Sequence, residues 1–291
     1  MNKIKIALQK SGRLYEESIK FLKDCGINIT FCYKDKLRAL AINFPLEIFF
    51  LRDDDIPNYI QDGIADIGIV GKNVVCEQKQ NLLIKEKLGF GVCRLSLAVT
   101  KGTIYKNLKD LSGKRIATSY PNLLKNYLEE KNVCSDIVNI SGSVEAAIDL
   151  GIADAICDIV SSGETLFKNN LKEIEQVFAS EAVMLCCPKY DQYRLVRHFI
   201  FRIQAVKRAR NNKLILFIAK NNKLDQIFSF LGKTKAKAIL PISNCTQYRY
   251  VQVIVDDKMI WNTIYNIKIN GAKQVIILPI QKLLYNGECY R

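Results

Sequence analysis

Three short stretches of this 291-residue chain combine residue types that bind anions or sugar hydroxyls. The first is DIVSSGETL, residues 158–166, which follows the apolar run IADAI. A carboxylate at a strand end, Asp158, has enough lone pairs to accept both hydroxyls of a ribose. Ser161, Ser162, Gly163 and Thr165 add hydroxyls and backbone N–H groups at the start of a helix, a setting that favours a phosphate monoester. Glu164 would repel that phosphate and is expected to point outward. The same nine residues also read as a Ser/Gly turn capping a helix, and the stretch alone leaves both readings open.

The second stretch is QKSGRL, residues 9–14. A strand leads through Lys10, Ser11, Gly12 and Arg13 into a helix, which reads either as an anion site with two cations or as an ordinary turn with basic surface residues. The third is RDDD, residues 52–55. Asp55 can cap the helix that follows, or Asp53 or Asp54 can orient a base or a hydrated Mg²⁺. Neither option builds a dedicated metal cage, as expected if Mg²⁺ arrives on phosphates. There is no GxSxG, no Walker loop and no Cys/His pair suited to covalent catalysis, so no nucleophile is expected. The single histidine, His198, lies in a basic helical stretch and reads as structural.

Composition narrows the partners. Hydrophobic residues make up 49% and charged residues 25% of the chain, an ordinary globular balance. No stretch of about 18 uncharged apolar residues is present, so neither a membrane span nor a signal peptide is expected. The ten cysteines are scattered without a CxxC pair, which argues against zinc and against a disulfide framework and fits the cytoplasm. The vicinal pair Cys186–Cys187 closes an apolar run and reads as core filling. The formal charge of +14 is spread along the whole chain. It suits polyanionic small molecules, and nucleic acid is not expected as a partner.

Elements must place these stretches. Over the first ~185 residues, strand-like runs alternate with amphipathic helices, which predicts parallel α/β layers. IKIAL leads to the helix LYEESIKFLKDCG, with Gly26 as a C-terminal cap, and KRIATS leads to a helix opening at Pro121. The chain also echoes itself: DIPNYIQDGIADIGIVG from Asp55 and SVEAAIDLGIADAICDI from Ser143 share the tetrad Gly-Ile-Ala-Asp at 63–66 and 151–154. Each copy starts at an N-cap type of residue, runs one short helix to a glycine and enters an apolar strand. The echo predicts two similar lobes, joined near 94–100 and again near 182–187, with a ligand cleft between them. A helix is expected from Tyr190 to Asn212. Beyond it the pattern reads βαββαβ, a ferredoxin-like module. Trp261 and Tyr265, four apart on its second helix, read as packing groups. The expected domains are 1–100 with 182–212, then 101–181, then 213–291.

Taken in order, LQKSGRL, RDDDIP, DGIADIGIVG, CRLSLA, GKRIATSYPNLLKNYL, GSVEAAIDLGIADAICDIVSSGETL and GAKQVIILPI resemble the long form of the ATP phosphoribosyltransferase family, along essentially the whole chain. The run from Glu145 through Gly151, Ala153, Ile156 and Asp158 to Gly163, Thr165 and Leu166 carries the family signature. The resemblance implies two lobes of periplasmic-binding-protein type and a C-terminal regulatory domain. It implies transfer of phosphoribosyl from phosphoribosyl pyrophosphate to ATP with Mg²⁺, opening histidine biosynthesis. It also implies inhibition by histidine and AMP, and dimers that associate into hexamers. Asp158 would then hold the ribose diol and Ser161–Thr165 the 5′-phosphate, with Lys10, Ser11, Gly12, Arg13, Asp53 and Asp54 lining the facing lobe. One departure stands out. Long-form relatives carry Pro-Thr before ILPL, whereas this chain has Lys237 and Ala238 in GKTKAKAILPI, an approach one residue longer. Weakened histidine feedback is therefore expected. Two rivals keep the same fold: a non-catalytic ligand-binding protein, against which the missing export signal counts, and a silent regulatory subunit, against which the intact phosphate loop counts.

Overall fold

Strands and helices whose apolar side chains need a partner layer arrange themselves around three sheets in the computed structural model, which describes residues 3–31, 37–231, 237–243 and 245–285. The chain divides into two compact units, Met1–Ile200 and Phe201–Arg291.

The first unit begins with β1 (Ile4–Gln9), α1 (Arg13–Asp24), β2 (Ile29–Phe31), β3 (Arg38–Ala41), β4 (Leu46–Leu51), α2 (Ile56–Gln61), β5 (Ile67–Gly71), α3 (Lys72–Gln78) and β6 (Leu83–Lys87). It continues with β7 (Cys93–Thr100), β8 (Arg115–Thr118), α4 (Pro121–Glu130), β9 (Asp136–Asn139), α5 (Ala146–Asp149), β10 (Ala155–Val160), α6 (Glu164–Lys168) and β11 (Leu171–Ser180). Then comes β12 (Ala182–Cys186), and α7 (Arg194–Arg210) begins in this unit and ends in the second. Among the described residues, one lobe is a seven-stranded sheet in the order β2-β3-β4-β1-β5-β12-β6, and the other is five-stranded, β11-β7-β10-β8-β9. α1 shows how each helix joins its sheet: its buried residues Ser18, Phe21 and Leu22 follow helical spacing and form one inward stripe.

Two expectations need correction. The sheets are mixed rather than parallel: β4-β1-β5 and β10-β8-β9 run parallel, but β12 pairs antiparallel with β5 and β6, and β7 antiparallel with β10 and β11. The first crossing also lies earlier than 94–100, because all of β7 belongs to the second sheet. The chain passes between lobes at residues 88–92 and returns at Glu181. There the two strands of the hinge are tied side by side, Leu88 N to Ala182 O and Ala182 N to Phe90 O, both at 2.9 Å. A strand buried on both faces reads as a continuous apolar run wherever it sits, so periodicity could not assign β7 to a sheet.

The echoed tetrad does one job twice. Gly63 and Gly151 take φ of 73° and 67°, a left-handed bend that ends α2 and α5 without a Cβ clash. The aspartate that follows clamps the start of the neighbouring parallel strand. Asp66 Oδ2 accepts Lys5 N at 2.8 Å, and Asp154 Oδ2 accepts Arg115 N at 2.9 Å. The Asp66 and Asp154 N–H groups donate back to the Lys5 and Arg115 carbonyls, each at 2.9 Å. The expected N-caps are absent: Asp55 precedes α2 without a side-chain cap bond, and Glu145, not Ser143, precedes α5.

The second unit contains β13 (Asn212–Lys220), α8 (Leu224–Leu231), β14 (Lys237–Ile242), β15 (Cys245–Asp256), α9 (Ile260–Ile269) and β16 (Lys273–Pro279). Its sheet order, β14-β15-β13-β16, is antiparallel throughout, the expected ferredoxin-like arrangement. Ile215, Phe217, Ala219, Val251, Val253 and Val255 alternate onto one face and pack with helical residues such as Ile227 and Ile267. Trp261 and Tyr265 are not packing groups: they are 77% and 66% exposed on the outer side of α9. The division between the two units falls inside α7. The cysteine pair 186–187 is buried, as expected.

Candidate active site

The ends of β1, β4, β8 and β10 all open into turns at the cleft between the two sheets of the first unit. A cavity of about 300 Å³ there is lined by Gln9, Arg13 and Asp53 from one lobe and Tyr120, Ile159 and Ser161 from the other, with Asn73 and Cys93 among its remaining walls. Arg13 and Asp53, from two of the three sequence stretches, thus face Ser161 from the third. A smaller cavity of about 50 Å³ adjoins it, lined by Glu145, Asp158, Ser161, Ser162, Gly163 and Thr165 along with apolar neighbours.

In the DIVSSGETL loop, β10 ends at Val160, three bends follow, and Gly163 adopts φ 81°, ψ 2°, where a side chain would be strained. Among the described residues, the N–H groups of Ser162 and Gly163 donate to no protein acceptor. α6 is only five residues long, so an anion here would rest on these amides and hydroxyls more than on a helix dipole. Glu164 points outward and pairs with Lys168 at 2.8 Å. Asp158 lies half-buried at the strand end, where its Oδ1 accepts Ile159 N at 2.7 Å. Burial pushes its carboxyl above the ordinary value; the Ile159 N–H opposes this and the charge of Glu145 adds to it. Arg94 braces the loop from β7. It pairs with Glu173 at 2.5 Å through Nε and reaches the Ser161 carbonyl at 3.5 Å.

On the opposite wall, Arg13 opens α1 and its Nε donates to Glu17 at 3.1 Å while its side chain stays mostly exposed. Lys10, Ser11 and Gly12 are exposed in the preceding turn and line neither cavity. Asp53–Asp55 form a single 3-10 turn. Asp54 lines neither cavity, and burial, then Asp53 and Asp55, raise its carboxyl pKa. Gln78 Nε2 fixes this turn through the Asp54 carbonyl at 2.6 Å. No group of three or more His, Cys, Asp or Glu among the described residues is arranged around a metal ion. Ala238 lies half-buried on β14, opposite Gln252 of β15, and Lys237 opposite Val253. The longer approach to this strand, 232–236, falls outside the described residues.

Several lining residues escaped the sequence reading. Tyr120 sits just before α4, and its hydroxyl accepts Asn73 Nδ2 at 3.0 Å. Burial, then the charges of Asp158, Asp53 and Asp54, push its phenol well above the ordinary value. Asn73 is buried and shares two bonds with Ser180, 107 positions away. Glu145 meets Asp158 only because α5 folds back on β10. Tyr120 could have been found, since it stands at a strand-to-helix turn like Arg13. Asn73 and Ser180 carried no local signal, whereas Glu145 opened the signature run without a role at the site assigned to it.

Comparison with known proteins identifies the family. The family described as HisG: ATP phosphoribosyltransferase matches residues 52–205, and HisG, C-terminal domain matches 209–282. An ATP phosphoribosyltransferase of Cytophaga hutchinsonii is 44% identical over 97% of this chain and 98% of its own length. The ATP phosphoribosyl transferase (HisG:HisZ) complex from Thermotoga maritima superposes with TM-score 0.58 at 30% identity, covering 69% of this chain and 96% of that one. The substrate-binding protein of an amino acid ABC transporter, at 13% identity and TM-score 0.50 over 71% of this chain and 93% of its own, shares the fold alone. No described helix is long and apolar enough to cross a membrane. With family matches running in chain order through both units, the chain belongs to the ATP phosphoribosyltransferases, glycosyltransferases (EC 2.4.2.17) of histidine biosynthesis.

Proposed function

We propose that phosphoribosyl transfer takes place in the cleft of the first unit, with phosphoribosyl pyrophosphate on the Asp158 side and ATP presented from the Arg13 side. The observation that carries this reading is the convergence of Arg13, Asp53 and Ser161 on one cavity that adjoins the Asp158 loop. Asp158 accepts the ribose hydroxyls, and Ser161, Ser162, Gly163 and Thr165 hold the 5′-phosphate. Adenine N1 has a free lone pair and needs no base. The N1–C1′ bond forms as the bond from C1′ to the pyrophosphate oxygen breaks, and the electron pair leaves with pyrophosphate. The protein's task is to align two polyanions and stabilise separating charge, which requires no nucleophile.

Mg²⁺ fits as a passenger on the substrate phosphates. The site offers the hard oxygens of Asp53 and Asp158 but no three-ligand cluster among the described residues. When bound, the ion neutralises charge on the leaving pyrophosphate. The same reading includes a cytoplasmic homo-oligomer, AMP and histidine as inhibitors, and weakened histidine feedback. It is tested by mixing the protein with ATP, phosphoribosyl pyrophosphate and Mg²⁺ and following the absorbance of phosphoribosyl-ATP. No product at any Mg²⁺ concentration would sink it.

Arg13 gives a further check. Its exposed guanidinium lines the cleft, so Arg13→Ala should raise the KM of one substrate about three- to tenfold, a size limited by solvent screening. Activity should also become less sensitive to salt. Parent-like kinetics at both low and high salt would return Arg13 to an ordinary surface turn.

A further inference from the structure

A helix beginning at Pro121 should present orphan N–H groups, because Tyr120 supplies no side-chain cap. Pro121 has no N–H, which leaves Asn122 and Leu123 as the first-turn donors before Leu124 bonds to the Tyr120 carbonyl. Both donors are satisfied from the other lobe. Glu77, near the end of α3, takes Asn122 N on Oε1 at 2.8 Å and Leu123 N on Oε2 at 2.9 Å. Its own carbonyl accepts Asn122 Nδ2 at 3.1 Å. A carboxylate at a helix N-terminus is favourable. Here, however, the helix belongs to the five-stranded lobe and the carboxylate to the seven-stranded one.

The same short helix reaches the cleft at two other points. Asn73 holds the Tyr120 hydroxyl, and Gln78 holds the Asp54 carbonyl at the acid turn. α3 therefore grips Tyr120 twice, through its ring hydroxyl and through the helix it precedes, and fixes the acid turn on its own lobe. Separating the lobes would break the two grips on Tyr120 together.

We propose that Glu77 is a positioning residue for the transfer, a carboxylate on one lobe that caps a helix of the other and so sets Tyr120 and the facing walls of the cleft. The inference rests on the reading of function above. Glu77 lines neither cavity and need not touch substrate. Its loss should therefore leave each substrate's binding to its own lobe largely intact while disturbing the alignment between them. A misplacement of about 1 Å can cost on the order of a hundredfold in rate.

The test uses the full-length protein with two variants, each measured for kinetics, melting temperature and amide exchange. Glu77→Asp keeps the charge near the helix end, and so the fold, but is too short to hold both amides. Glu77→Gln keeps the length but loses the charge and one acceptor. Expected are a kcat about tenfold lower for the first and up to about a hundredfold lower for the second, with either KM moving less than about threefold. Amide exchange at Asn122 and Leu123 should accelerate in both. Parent-like kcat in both variants, with fast exchange at those amides, would reduce Glu77 to a cap and overturn the proposal. So would a kcat loss confined to Glu77→Gln and matched by a general loss of folding. A parent protein that forms no phosphoribosyl-ATP would instead overturn the reading of function, and unchanged exchange at Asn122 and Leu123 would overturn the clamp itself.

Discussion

Asp158→Asn is expected to lower kcat/KM for phosphoribosyl pyrophosphate by about ten- to a hundredfold while leaving the melting temperature unchanged or raised. The activity loss follows from replacing a carboxylate, acceptor to two ribose hydroxyls, by an amide with fewer acceptors. A charge-assisted bond lost at this site is worth about 1.5–3 kcal/mol. The stability follows from the raised carboxyl pKa of Asp158, caused first by burial. A raised folded value means the folded chain prefers the neutral group. That preference is fully expressed below the ordinary carboxyl pKa of 3.8 and is lost as pH rises through the raised folded value. At neutral pH the buried charge is thus a cost that asparagine removes. The same shift places the loss of ribose binding at a higher pH than an ordinary aspartate would, and the Asp158→Asn variant should flatten that acid limb. Steady-state kinetics across pH, together with thermal melts, check all three effects. Unchanged kcat/KM in a folded variant would remove Asp158 from the site.

Histidine should inhibit this enzyme weakly, with an affinity about five- to a hundredfold below that of a chain carrying Pro-Thr at 237–238. A threonine hydroxyl can pair with a buried polar ligand, whereas Ala238 offers a methyl group, and one unpaired group costs about 1–3 kcal/mol. Residue 238 is half-buried on β14, an edge strand, and restoring a proline beside it is compatible with an edge position. Titrating histidine into the activity assay tests this: half-inhibition at micromolar histidine would sink it. Where inhibition is weak, the double variant Lys237→Pro, Ala238→Thr should strengthen it, and failure to do so would assign the loss to the longer approach at 232–236.

Both predictions concern residues that local order along the chain singles out. Asp158, Ser161 and Gly163 are legible because strand, hydroxyls, glycine and helix follow one another within nine residues, and such order is set by local sterics. The ferredoxin-like unit is legible for the same reason, through its βαββαβ periodicity. The tetrad Gly-Ile-Ala-Asp announces two related lobes, and its aspartates do clamp equivalent strand starts. Other features depend on pairings between distant segments. The assignment of β7 to the second sheet is one, since an apolar run fits either sheet. The outward exposure of Trp261 and Tyr265 is another, because it depends on how α9 is rotated against its sheet. Contiguous residues thus carry the family, the order of elements and the strand-to-helix turns at the cleft. Folding in three dimensions is what sets Glu145 beside Asp158, brings Asn73 to Tyr120, and makes Glu77 of one lobe the cap of a helix in the other. The last two contacts join residues tens of positions apart, and hydrogen-bond complementarity across such distances leaves no periodic trace along the chain.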